Sequence, residues 1–344
     1  MIMELKDRTE IASRNAKEIV TKEDLNELLR KGPSFNFYYG TAPTGPVHIG
    51  YMVPLGKVAD LIKSGGDAKI LIADYHAYLD DRKSPWEEIS IRSDYYQKCI
   101  ELILGEFKDK VEFVRGSSFQ TSPEYVSDLF RISGETTATR AQRAASEVCR
   151  MREPKVSELM YPLLQTLDVK YLESDLVVGG MDQRHIYMLS RAILPTIKWE
   201  KPVCIFTPLI TSLKGPGEKM SASIKGTYIK VHESENELRK LVSSAHCPPK
   251  EIESNPILDV VRYIILPIKS MLKVERDAKF GGDVAYEDYE SLENDFNEGR
   301  LHPADLKNGV SSALLEMTKP IRDYFEKHTS LKEDINKTYA QDLF

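Results

Sequence analysis

The chain has 344 residues, 47 of them Lys or Arg and 53 Asp or Glu, for a formal charge of -6. That length allows two domains with a sizeable core, and that charge excludes a general electrostatic grip on nucleic acid, so any RNA contact must come from local basic patches. No run of about 18 apolar residues occurs and residues 1–17 are charged rather than signal-like, so a soluble, cytoplasmic protein with no membrane partner is expected.

Short apolar runs alternate with longer amphipathic stretches, the pattern of parallel strands joined by crossover helices. Residues 35–39 read as a strand and 51–63 as a helix with Val58, Leu61 and Ile62 on one face, ended by Gly65 and Gly66. A second strand is expected at 68–73, a helix at 86–107 with Ile89, Tyr96, Ile100, Ile103 and Phe107 at helical spacing, and a third strand at 111–114. Residues 117–161 are helical and basic without a clear strand, an insertion between two halves of a sheet. Strands resume at 175–178 and 203–206 around a helix at 184–194. Helical periodicity then dominates at 234–245, 256–270 and 303–328, and 331–344 reads as a polar, poorly ordered tail. The expected architecture is α/β: a Rossmann-like parallel sheet with a helical insertion (about 117–160) in a nucleotide-binding domain over 1–225, then an all-α domain over 226–344.

Cys99, Cys149, Cys204 and Cys247 stand far apart, and the seven histidines lack an i, i+4 pair, so neither a disulfide framework nor a bound metal is expected. The segment 40–51 sets Gly40, Thr41, Gly45, His48, Gly50 and Tyr51 between a strand and a helix start. Glycines there let backbone amides approach a phosphate chain, the helix start favours anions, and His48 can donate to a phosphate oxygen. Far downstream, 214–223 is a glycine-punctuated loop carrying Lys219, Met220, Ser221, Ala222 and Ser223, with Lys219 suited to a migrating phosphate charge. A plain connecting loop and a solvated surface loop are the structural alternatives.

Together, His48-Ile49-Gly50-Tyr51 and Lys219-Met220-Ser221-Ala222-Ser223 resemble the HIGH and KMSKS motifs of class I aminoacyl-tRNA synthetases, in order and on the right elements. From about Phe35 to Tyr324 the chain resembles the tyrosyl-tRNA synthetases of archaea and eukaryotes. Between the motifs, Tyr161, Gln165 and Asp168 fall at i, i+4 and i+7, a polar stripe on one helix face that can line a pocket or face solvent. The resemblance implies that Tyr38 and Asp168 hold a substrate phenol, that Tyr161, Gln165 and Gln183 hold its amino end, and that His76 lines the pocket wall. The run Gly179-Gly180-Met181-Asp182-Gln183-Arg184 follows a strand and opens a helix, where ligands sit in α/β sheets, and the resemblance makes Asp182 the ATP ribose contact beside Gly180.

Arg131, Arg140, Arg143, Arg150 and Arg152 cluster in the insertion, either as a phosphate-binding patch or as a solvated face paired with Glu135, Glu147 and Glu153. The resemblance favours RNA, with Arg143 and Arg184 near the acceptor end. It also places Phe280 and Asp305, with His302 beside them, at the anticodon's first base, Phe280 stacking and Asp305 accepting from guanine. The implied reaction is activation of L-tyrosine with ATP and Mg²⁺, with His48, Lys219 and Ser221 acting on the phosphates, followed by transfer to tRNA(Tyr) on a homodimer. Tyr51 and Ala222 depart from the motif names. Tryptophanyl-tRNA synthetase and a catalytically silent RNA-binding paralogue are the alternative readings.

Overall fold

The computed structural model describes residues 4–149 and 153–339. They pack into two compact units, one comprising the described residues up to Thr44 with Lys57–Pro208, the other Gly45–Gly56 with Leu209 onward. This division precedes the change of character read after Lys225, because the loop carrying Lys219 packs with the helical residues that follow it.

The first unit begins with α1 (Leu5–Ser13), β1 (Glu18–Val20) and α2 (Lys22–Lys31), which the sequence reading omits although α2 carries Leu25, Leu28 and Leu29 at helical spacing after a Thr21 cap. Next come β2 (Phe35–Thr41), α3 (Met52–Lys63), β3 (Gly66–Ile72), α4 (Asp74–Leu79), α5 (Ile89–Leu104) and β4 (Val111–Arg115). Gly65, at φ +95°, ends α3 in a backbone conformation that suits glycine, whereas Gly66 already opens β3. The insertion is helical as expected: α6 (Pro123–Gly134), α7 (Ala138–Ala145) and α8 (Val156–Tyr171). Ser122 and Thr137 accept hydrogen bonds from backbone amides of the first turns of α6 and α7. β5 (Leu176–Gly180), α9 (Arg184–Ile193) and β6 (Val203–Thr207) complete the unit.

The sheet order is β1-β6-β5-β2-β3-β4, parallel except for β1, which joins β6 antiparallel at the edge. From β2 the chain builds outward through β3 to β4, then returns to place β5 on the other side of β2. The strand order therefore reverses between β2 and β5, and a ligand crevice is expected beyond their carboxyl ends. Those ends are Gly40-Thr41 and Gly179-Gly180. Tyr38, Tyr125, Leu167, Val177, Tyr187 and Phe206 belong to one buried cluster that joins the insertion to this sheet.

The second unit is mainly helical: α10 (Glu235–Ser244), α11 (Pro256–Val260), α12 (Leu266–Lys269), α13 (Tyr289–Glu298), α14 (Pro303–Lys327) and α15 (Thr329–Thr338). A π turn, Val261–Ile265, joins α11 to α12 just before Pro267, which has no N–H for a regular ladder. The face of α14 carrying Leu306, Val310, Leu314, Ile321 and Phe325 is buried, each large apolar side chain contributing about 1.5–3 kcal/mol. Two features correct the sequence reading. The region contains a two-stranded antiparallel pair, β7 (Leu272–Val274) and β8 (Val284–Tyr286), too short for an alternation signal. The expected tail is helical to Thr338, because Ile335 finds a buried seat; residues 340–344 lie outside the described residues.

Candidate active site

Tyr38 stands in the middle of β2, fully enclosed, and Asp168 lies on α8 with no solvent exposure. Gln120 Nε2 and the Tyr125 hydroxyl both donate to Asp168 Oδ1, at 2.8 and 2.9 Å. Asp168 Oδ2 is left with no hydrogen-bond partner, His76 Nε2 being 3.7 Å away. A buried carboxylate oxygen without a donor is costly unless something else supplies one. Burial pushes the Asp168 carboxyl up to about 7, against the lowering effect of the two hydrogen bonds, and burial holds the His76 imidazole down at about 4. His76 is therefore neutral beside Asp168 and cannot act as its counter-ion.

The Tyr38 hydroxyl accepts from the Tyr187 hydroxyl at 3.2 Å and reaches the Gln165 carbonyl only at 3.5 Å. That second contact is at the limit of a hydrogen bond, so the Tyr38 proton can turn to a better acceptor. A weakly used donor and an unpartnered carboxylate oxygen are the complement of one hydroxyl group, which both accepts and donates. On the same face of α8, Tyr161 meets the His76 ring edge-on at 4.6 Å, and Gln165 Nε2 donates to Gln183 Oε1 at 3.2 Å. The stripe Tyr161, Gln165, Asp168 is thus buried and is not a solvated face. Gln183 and Asp182 sit on the turn Met181–Gln183 directly after Gly180. A Cβ on Gly179 would lie 3.1 Å from both Gln183 and Tyr187, so glycine there allows α9 to close on the strand.

In the second unit His48 precedes the turn Ile49–Tyr51, with Val47 and Ile49 hydrogen-bonded to Val231 and Ile229. Its Nδ1 accepts from the Gly50 amide at 3.2 Å. Burial first, and the nearby Lys219 charge second, lower His48 to about 4. The ring is therefore neutral, and with Nδ1 acting as acceptor its proton is on Nε2, which makes that atom a donor. A Cβ on Gly50 would come within 2.8 Å of the His48 ring, so this fold-back requires glycine. Lys219 pairs across a bridge with Thr211, and the backbone of Met220 bonds to Ile210, fixing the loop. The Thr227 hydroxyl donates to the Ser221 carbonyl at 2.9 Å, and a Cβ on Gly45 would lie 2.8 Å from that of Ala222. The two motif segments therefore touch at their small residues, Gly45 and Ala222.

Of the basic cluster, Arg150 and Arg152 lie outside the described residues, and Arg131 is held by Asp128 at 3.0 Å. Arg140 and Arg143 line a depression of about 350 Å³ with Arg184 and His185. Arg184 is forked onto Glu18, at 2.7 and 2.9 Å, which the sequence did not suggest. Phe280 is 61% exposed on its turn, under the Lys279 ammonium at 4.8 Å. His302 Nδ1 accepts from the Ala304 amide at the start of α14, whose first turn holds Asp305. Arg276, overlooked in the sequence, donates to the carbonyls of Gly282 and Arg300 and so ties the Phe280 turn to the residues before α14. Gln120, Tyr125 and Tyr187 were also missed. Tyr187 was findable, four residues after Gln183 on one helix face. Gln120 sits in a bend with no periodicity, and its partner is 48 residues away.

Residues 30–319 match the family model for class I tRNA synthetases (W and Y). A tyrosine–tRNA ligase of Haloarcula marismortui is 42% identical over 93% of this chain and 94% of its own. The crystal structure of a tyrosyl-tRNA synthetase complexed with L-tyrosine from Archaeoglobus fulgidus superposes with a TM-score of 0.89 at 41% identity, covering 93% of this chain and 99% of that one. A tryptophanyl-tRNA synthetase of Aeropyrum pernix shares the fold at 18% identity and a TM-score of 0.70, covering 90% of this chain and 83% of its own.

Proposed function

The chain belongs to the class I tRNA synthetases of the tryptophan and tyrosine family, among its tyrosine–tRNA ligases, and from that membership we propose the following residue roles. The reaction joins L-tyrosine to the 3′ end of tRNA(Tyr) through tyrosyl-adenylate made from ATP. The observation that carries the assignment of the amino-acid pocket is the buried, unpartnered Oδ2 of Asp168 opposite the weakly engaged hydroxyl of Tyr38. The tyrosine phenol donates to Asp168 and accepts from Tyr38, while Tyr161, Gln165 and Gln183 hold the amino end and His76 shapes the wall. ATP takes Gly40, Thr41, Gly50, Gly180 and Met220 as close backbone or packing neighbours and Asp182 at its ribose. His48 Nε2, Lys219 and Ser221 stabilise charge on the phosphates.

The tyrosine carboxylate, ionised at neutral pH, attacks the α-phosphorus in line and pyrophosphate leaves, so no general base is required. A ribose hydroxyl of the tRNA's terminal adenosine then attacks the acyl-adenylate carbonyl and AMP leaves. Mg²⁺ is assigned as part of the nucleotide substrate. We assign residues 1–225 as the catalytic domain and 226–344 as the anticodon-binding domain of a cytoplasmic homodimer. Phe130 and Val156, apolar insertion residues 70% and 74% exposed, support an interface there.

Amino-acid-dependent ATP–pyrophosphate exchange tests the reading: tyrosine alone supports exchange, while tryptophan and phenylalanine do not. Exchange with tryptophan would move the assignment to that branch, and none with any amino acid would leave a silent RNA-binding protein. For the anticodon, Phe280 stacks on the base, Asp305 accepts from guanine, and Arg143 and Arg184 meet the acceptor end. Asp305→Ala is expected to lower tRNA charging by about 1–3 kcal/mol, roughly 5- to 150-fold, at an unchanged tyrosine-dependent exchange rate. Equal loss in both assays would refute that role.

A further inference from the structure

Trp86 is 54% exposed, immediately before α5, yet its ring is not loose. Tyr75 stacks on it with centroids 5.2 Å apart and planes 13° from parallel, and Tyr78 meets it edge-on at 5.2 Å. Both tyrosines come from α4, the short helix that also carries His76 into the tyrosine pocket. The loop leading to Trp86 is anchored on its other side: the Ser84 hydroxyl donates to the carbonyl of Pro43, in the segment that follows the end of β2, and Arg92 braces that loop through the Ser84 hydroxyl at 3.1 Å and the Lys83 carbonyl at 2.9 Å. A rigid, open aromatic face is thus fixed to both the amino-acid pocket and the phosphate-loop strand.

Such a face suits an occupant with a flat ring. Two nearby cations are already engaged, Lys83 with Asp80 at 2.6 Å and Lys155 with Asp81, and what this surface presents is the open ring of Trp86. Duplex RNA presents backbone and grooves, whereas unpaired nucleotides present base faces to aromatic side chains. The reaction brings one such segment to the pocket in every cycle. We propose that Trp86, backed by Tyr75 and Tyr78, is a stacking platform for the unpaired 3′ end of the tRNA and positions its terminal ribose for acyl transfer. The proposal rests on the tyrosine–tRNA ligase reading and adds a positioning residue to it.

The test uses the whole enzyme and two readouts. Trp86 is one of only two tryptophans, so its fluorescence can be isolated as the difference between the wild type and Trp86→Phe. Intact tRNA is expected to quench that difference signal, and tRNA shortened at its 3′ end is expected to leave it unchanged. Trp86→Ala is expected to lower kcat/KM for tRNA about ten-fold or more, the loss of one stacked base, while Trp86→Phe restores most of it. Tyrosine-dependent pyrophosphate exchange, which involves no RNA, reports folding and the underlying activity. Exchange absent from the wild type would sink the ligase reading itself. Normal exchange with equal quenching by both RNAs, no quenching by either, or wild-type charging by Trp86→Ala would overturn the platform alone.

Discussion

Asp168→Asn is expected to lower kcat/KM for tyrosine in pyrophosphate exchange by about 2–3 kcal/mol, roughly 30- to 150-fold, and to collapse the preference over phenylalanine. The substitution keeps a carbonyl oxygen for the Gln120 and Tyr125 donors but turns Oδ2 into an N–H donor, so the phenol proton loses its acceptor. A site built to pair a substrate hydroxyl rejects the analogue lacking it by about 10⁴–10⁵, a range known from tyrosine-selecting synthetases themselves and not obtained from this geometry. The pH dependence follows from the same atom. With Asp168 at about 7, the acceptor form is lost as pH falls through that value, so kcat/KM for tyrosine rises between pH 6 and 8 and levels off above. His48 and His76, both near 4, stay neutral throughout and add no inflection there. The Asn variant should show a flat profile over the same range. An inflection near 7 that persists in Asp168→Asn would assign it to another group and remove Asp168 as the pH-sensitive selector.

The parts of this site that could be read in advance are those with local spacing. Tyr161, Gln165 and Asp168 share one helix face by periodicity, and the structure buries that face against the sheet. Gly40, His48, Gly50, Gly179 and Gly180 are where a backbone must come close to something, and one of those glycines, Gly50, is required sterically. What periodicity could not supply was contact across the chain. The donors that fix Asp168 Oδ1 lie on a bend and on α6, 48 and 43 residues away, and only the packing of α6 on α8 brings them in. The same limit explains the fold. Strands of five to seven residues announced themselves, whereas β1, β7 and β8, three residues each, formed because a partner strand was presented to them. Arg184 shows the same limit for charge: it is forked onto Glu18 of the edge strand, a partner 166 residues away that no local spacing reveals.

Lys219→Ala and His48→Ala are each expected to lower kcat for tyrosine activation by about 2.7–4 kcal/mol, 10²- to 10³-fold, with little change in KM for tyrosine. The attacking carboxylate is already charged, so the barrier lies in gathering negative charge on the departing pyrophosphate, and donors that meet that charge act mainly on the transition state. His48 suits this because it is neutral: the Gly50 amide occupies Nδ1 and leaves Nε2–H to donate, with no proton to lose on approach of the phosphates. Lys219 supplies the full charge, and with Ala222 at the position of the motif's second lysine there is no cation there to share it. Loss of Lys219 should therefore cost at least as much as loss of His48. The double variant should fall short of the sum, since both groups act on one developing charge and the Lys219 charge itself bears on His48. Single-turnover formation of tyrosyl-adenylate measures the step without product release. If either variant instead raised the KM for ATP at an unchanged kcat, that residue would be binding the ground state, and the stabilisation assigned to it would have to come from elsewhere.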